Sequence, residues 1–176
     1  MDYKNLHTFT LEKIFGSIKN HIIRQNENIR IVHLQDKKGV SRTLGIVKFL
    51  NVDSDLLIGV HEKILTGELL GKTLFDSNID FDKEFIGTFK VKLPKWLMED
   101  FNTEQDSSFA IFSKISIYTN RLSNDKFLYS ELIEIIPPEL KDVFVDKTKS
   151  LYKIDENILS LFKAVDIKVI KLENKL

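Results

Sequence analysis

Two stretches of this chain alternate apolar and polar residues over ten or more positions and a third of similar length is apolar on both faces, and these strands restrict the fold more than any other feature. In residues 84 to 93, Phe85, Gly87, Phe89 and Val91 fall on one side and Thr88, Lys90 and Lys92 on the other, the period-two signature of a half-buried strand. Residues 108 to 119, SFAIFSKISIYT, form the longest such run. Residues 126 to 136, KFLYSELIEII, follow after the polar turn RLSNDK. Pro137-Pro138 ends that strand, because neither proline can donate to a ladder. Strands joined by short turns pair antiparallel, so the chain is committed to an antiparallel sheet.

The flanking segments fill in the rest. Residues 10 to 26 place Leu11, Ile14, Phe15, Ile18, Ile22 and Ile23 at spacings of three and four, which predicts an amphipathic helix with Thr10 as its cap. Gly16-Ser17 interrupts it and can divide it into two short helices, Ser17 capping the second. NIRIVHLQ, residues 28 to 35, reads as a strand before the turn DKKG. Residues 42 to 50 and 55 to 63 read as a hairpin around NVDSD. A short, imperfect helix is expected over 64 to 75, a proline-initiated one at LPKWLMEDF and another over 155 to 165, with DIKVIKL as a last strand. The fold class is therefore α+β: a single antiparallel sheet of about six strands with flanking helices, in one domain spanning 1–176. Neither an internal repeat nor a linker rich in Pro, Gly or Ser divides it.

Composition narrows the function. The 176 residues carry 26 basic and 26 acidic side chains, dispersed along the chain, so nothing recommends nucleic acid or an anionic membrane as partner. There is no Cys and only four His: His7, His21, His33 and His61. That excludes thiol chemistry, and no His pair has metal-ligand spacing, so no metal is expected. The start of the chain lacks the apolar stretch of a signal peptide, and no window is apolar enough to span a bilayer. The expected compartment is the cytoplasm. P-loop, GxGxxG, GxSxG and HExxH motifs are all absent, and no bound nucleotide is expected.

One residue is out of place on its strand. On 126 to 136, Glu131 shares a face with Phe127, Tyr129, Ile133 and Ile135. Desolvating a carboxylate costs on the order of several kcal/mol unless it is paired or protonated. Glu131 therefore either pairs with a neighbouring cation such as Lys114 or meets a ligand. Lys114 is the matching oddity on the face of Ala110, Phe112, Ser116 and Tyr118, where a lysine reaching out to solvent is the plainer reading. His61 and His33 each read first as hydrogen-bonded structural groups.

The order of these segments resembles the chorismate lyase family, over roughly residues 10 to 140. Three segments carry the likeness: Gly16-Ser17-Ile18 leading into KNHIIRQNENIRIVHL, then LLGKTLFDSNIDFDKEFIG at residues 69 to 87, then DKFLYSELIEIIPPEL at 125 to 140. The resemblance implies a cofactor-free elimination that converts chorismate to 4-hydroxybenzoate and pyruvate, in a site enclosed by the sheet. Glu131, after Ser130, falls on the family's ligand-site glutamate and would be the catalytic residue. Arg42, in VSRTLGIVKF, is the nearest counterpart of the family's ligand-binding arginine. A second family arginine falls near His61, and the basic pair before the last hairpin is reduced to Ser113-Lys114. Arg42, His61 and Lys114 are thus the expected substrate-binding residues. A non-catalytic domain of the same architecture that binds an aromatic acid is the alternative. Residues 141 to 176 extend past the usual end of the family.

Overall fold

The computed structural model describes residues 7–145, 156–163 and 165–170. Seven strands form one antiparallel sheet: β1 (Lys19–Gln25), β2 (Ile29–Gln35), β3 (Ser41–Phe49), β4 (Phe81–Lys92), β5 (Ser107–Asn120), β6 (Asp125–Ile136) and β7 (Lys168–Ile170). Their spatial order is β1-β2-β3-β6-β5-β4-β7, one strand more than the alternation suggested. The helices are α1 (His7–Phe15), α2 (Val60–Leu65), α3 (Leu70–Asp76), α4 (Lys95–Phe101), α5 (Lys141–Phe144) and α6 (Glu156–Lys163). Among the described residues no helix is long and apolar enough to cross a membrane.

The three runs are the long strands β4, β5 and β6, and they form a meander. β6 then returns to the centre and pairs with β3, Gly45 opposite Glu134 and Lys48 opposite Glu131. Two slips of register change which side chains share a face. Ile86 is an extra residue in β4, since Phe85 opposes Ser113 and Gly87 opposes Phe112. Tyr129 is an extra residue in β6, since Ser130 opposes Ile115 and Leu128 opposes Ser116. A bulge of this kind shifts the side-chain alternation by one. The expectation that Phe85, Phe89 and Val91 share a side therefore fails: Phe85 packs with Leu11 and Ile111 on one face, and Phe89 and Val91 join the core on the other.

Two further expectations are corrected. The second half of the anticipated 10–26 helix is the edge strand β1. Gly16 takes a left-handed backbone, φ 79°, which stops α1, and Ile22 and Ile23 are 36% and 47% exposed rather than buried. Their helical spacing carried no packing, and pairing with β2 satisfied the backbone instead. Likewise residues 55–63 are not a hairpin strand but a 3-10 turn at Asp55–Leu57 followed by α2. Gly59 at φ 72° lies between them and breaks an extended run.

The two faces of the sheet are covered differently. On one, Ile31, Leu44, Ile46, Phe89, Phe112, Ile133 and Ile135 pack against α4 through Leu97 and Phe101 and against α6 through Leu161 and Phe162. The Phe89 and Phe162 rings meet edge to face at 6.1 Å. The described part of the C-terminal extension thus completes the core, and β7 adds an edge to β4. The opposite face lies under α1 and α3, and there the packing leaves a hollow.

Candidate functional site

The hollow sits over the centre of the sheet. Alternation brings Arg30 and Val32 of β2, Gly45 and Val47 of β3, and Leu132 and Glu134 of β6 to its floor. Phe81, Lys83 and Ile115 form one wall, and His7 of α1 with Leu69, just before α3, and Leu70 and Gly71 of α3 form the cover. The cavity measures about 60 Å³, counted over the positions open to the centre of a water. At roughly 10–15 Å³ for each water, that is room for several waters, and a ring the size of benzene, which takes a cavity of roughly 150 Å³, enters only if the cover shifts.

Three side chains clip the cover to the edge of the sheet. Asn20 Nδ2 donates to the Gly67 carbonyl at 2.8 Å, Gln25 Nε2 to Leu65 O at 2.7 Å, and Arg30 NH1 to Glu68 O at 3.0 Å as well as to Ile64 O. They hold the segment between α2 and α3 across β1 and β2.

The polar groups in this apolar setting are few. Glu134 is only 6% exposed. Lys83 Nζ donates to its Oε2 at 2.7 Å, and His7 Nδ1 stands 3.7 Å from its Oε1. Burial acts against ionisation of Glu134, but the charge His7 acquires in acid and the charge and hydrogen bond of Lys83 act for it, and the net direction of its pKa is down. His7 Nε2 meets Thr43 Oγ at 2.7 Å, and its ring stacks on Phe144 with centroids 4.1 Å apart. Burial lowers the His7 pKa to about 4, against the pull of Glu134. At neutral pH His7 is therefore neutral, and Lys83 is the cation that holds the Glu134 carboxylate.

Arg30 is the exception to this pairing. It is 2% exposed, and burial lowers its pKa to about 10, which leaves it charged at neutral pH. Its NH1 is used on the cover, but Nε and NH2 have no partner among the described residues. A buried donor left unpaired costs about 1–3 kcal/mol, more for a charged group. Nε and NH2 form the planar fork that pairs with a carboxylate, but protein covers both atoms, so a ligand reaches them only if the surrounding side chains move.

The residues anticipated from the sequence lie elsewhere. Glu131 is on the opposite face of β6 from the cavity, where it meets Lys114 Nζ at 3.7 Å. This is a correction to its expected place at the heart of the site. Consecutive positions along a strand face opposite ways, so residues 132 and 134 reach the hollow and 131 cannot. The Lys114 side chain is 35% exposed on that outer face. Arg42 is committed to Asp36, with Nε and NH2 at 2.9 and 2.7 Å from Oδ2, and lies over the Phe15 ring at 4.1 Å. His61 is on α2, its Nδ1 2.7 Å from the Tyr129 hydroxyl. Burial lowers its pKa. Of the four, only Glu131 and Lys114 are brought together, and none of the four lines the cavity. His33, the other histidine read as structural, bonds Ser41 Oγ and stands 3.3 Å from Asp100.

Arg30 and Glu134 did leave a trace in the sequence. Each is a charge on a strand face otherwise shared with Val32 and Leu34, or with Leu128 and Leu132. Lys83 left less, because the bulge at Ile86 shifts the alternation between it and the strand beyond. No family model matches this sequence, and no curated protein matches it.

Proposed function

We propose that this chain binds a small cyclic organic acid in the hollow beneath α1 and α3, and that it acts there on chorismate as a cofactor-free lyase yielding 4-hydroxybenzoate and pyruvate. The observation that carries the reading is Arg30, a buried guanidinium that lines an apolar cavity also holding a carboxylate and whose Nε and NH2 have no protein partner among the described residues. In this reading Arg30 takes the substrate carboxylate as a bidentate pair. Glu134, kept ionised by Lys83, accepts the ring proton that aromatisation releases. The ring C–O bond breaks, and the enolpyruvyl fragment leaves with the bond electrons, is protonated and ends as pyruvate. Aromatisation supplies much of the driving force, so the protein chiefly positions and polarises. The role expected of Glu131 passes to Glu134.

The test is to incubate the protein with chorismate and follow 4-hydroxybenzoate and pyruvate. Glu134→Gln is expected to lower turnover on the order of 10²–10⁴-fold, while Glu131→Gln retains it. Equal activity of wild type and Glu134→Gln would remove the assigned role, and no product from wild type would remove the lyase reading.

A second reading, a non-catalytic binder of an aromatic monocarboxylate, is favoured by the charge count in the cavity. Lys83 is already spent on Glu134, which leaves Arg30 as the one unpaired cation among the described lining residues, and chorismate brings two carboxylates. Stabilisation by 4-hydroxybenzoate in a thermal shift without chorismate turnover would select this reading.

A further inference from the structure

We infer that Gly45 determines which ligands the cavity accepts: the body of the bound acid lies on β3 over Gly45, whose missing side chain keeps the floor of the cavity low. The inference rests on the proposed ligand class.

A glycine in the middle of a strand is unfavourable, since it orders a flexible backbone and packs nothing. Gly45 occupies such a position, in the run Thr43-Leu44-Gly45-Ile46-Val47, between two paired strands. The backbone does not require it, because Gly45 is absent from the positive-φ glycines Gly16, Gly39, Gly59 and Gly67. Packing bears on it through one side chain. A methyl built there meets Val32 Cγ2 at 3.3 Å and the Val32 carbonyl oxygen at 3.9 Å, and is otherwise clear of neighbours. A shift of a few tenths of an ångström by the Val32 side chain would admit it.

What the glycine does provide is room at a specific place. Gly45 stands directly opposite Glu134 on one neighbouring strand and opposite Val32 on the other, with Arg30 two residues along from Val32 on the same face. Arg30 and Glu134 are carried by strands on either side of β3, roughly 10 Å apart at the usual strand spacing. Arg30 is held by the carbonyls of Ile64 and Glu68 in the cover and Glu134 by Lys83 of β4, so the floor between the two charges is the strand that carries Gly45. The shortest path between the two charged groups therefore crosses Gly45. Any larger residue would raise the floor midway along that path.

The experiment is calorimetric titration of wild type and Gly45→Ala with 4-hydroxybenzoate, together with the Tm of each ligand-free protein. We expect Gly45→Ala to fold with an unchanged or higher Tm and to bind on the order of tenfold more weakly, as for one methylene too many in a packed site. Loss of affinity without loss of stability is the signature that a merely structural glycine would not give. Should the Val32 contact lower the Tm, Gly45→Ala/Val32→Ala is compared with Val32→Ala alone, and the same drop in affinity is expected between those two. Undiminished binding by a folded Gly45→Ala protein, or by the double variant relative to Val32→Ala, overturns the inference and leaves the proposed ligand class standing. Absence of 4-hydroxybenzoate binding by wild type overturns both.

Discussion

The two faces of this sheet are built from the same strands, yet one is sealed and the other is hollow. On the sealed face, Ile133 and Ile135 of β6 meet Ile46 and Leu44 of β3, and α4 and α6 close over them. On the hollow face the alternate residues of those two strands are Leu132, Glu134, Gly45 and Thr43, and α1 and α3 stand over a gap. The sealed face maximises apolar burial. The hollow face accepts a mid-strand glycine, an ion pair under cover and a guanidinium with unpaired donors, each unfavourable for folding by itself. Such departures from local rules concentrate where a protein binds something, so the contrast between the faces is itself the strongest pointer to function.

The contrast can be broken first on the sealed side. Phe162→Ala removes a ring packed on Phe89 and should cost about 3–5 kcal/mol, read as a lower urea midpoint. Because α6 touches the face away from the hollow, thermal stabilisation by 4-hydroxybenzoate should persist in whatever fraction still folds. A loss well under 1 kcal/mol would mean that α6 is not part of the core.

A smaller effect, set by pH, belongs to the hollow side. The His7 pKa falls from 6.5 to about 4 on folding, so between those values the unfolded chain binds the extra proton and stability rises with pH. Unfolding free energy should be flat above pH 6.5 as far as His7 is concerned. It should decline on acidification towards pH 4 by roughly 3 kcal/mol at most, at about 1.4 kcal/mol for each pH unit. Glu134 adds to this only below its ordinary value near 4.5, because its pKa is depressed and its contribution is lost as pH falls through the folded value. Denaturant titrations of wild type and His7→Gln across this range separate the two. The variant should show a shallower slope between pH 6.5 and 4, keeping the part that His33 and His61 contribute, and a smaller loss below, because the His7 charge is one of the causes that depress Glu134.

The smallest change is expected at Glu131. Its pair with Lys114 is long and partly open to solvent, and such pairs contribute about 0–1 kcal/mol. Glu131→Gln should therefore shift the urea midpoint within that range and leave ligand binding untouched. A large loss of binding would return Glu131 to the site and undo the assignment of the two faces.

Much of the sheet is legible in the sequence, and the site only half so. β4 and β5 are visible because ten or more residues of alternation leave little choice of secondary structure, and β6 because an apolar run is bounded by a polar turn and by Pro137-Pro138. β1 reads as helix because Ile14, Ile22 and Ile23 keep helical spacing, but all three are exposed, and periodicity cannot tell a buried stripe from an unburied one. The acidic strand β6 stands out in the sequence, but the choice between Glu131 and Glu134 does not. Both faces of that strand read as apolar, and the sequence does not say which of them a helix will fill.

What the chain settled alone was local: where the long strands must extend, that Gly16 interrupts the first apolar stretch, and that charge lies on otherwise apolar strands. Tertiary structure decided the rest. Whether a charged side chain meets solvent, a counter-ion or an empty space depends on which helices come to lie over each face and on two one-residue bulges, at Ile86 and Tyr129, that shift the alternation. Those are long-range packing outcomes, set by how much apolar surface the whole chain can bury at once, and no window of sequence contains them.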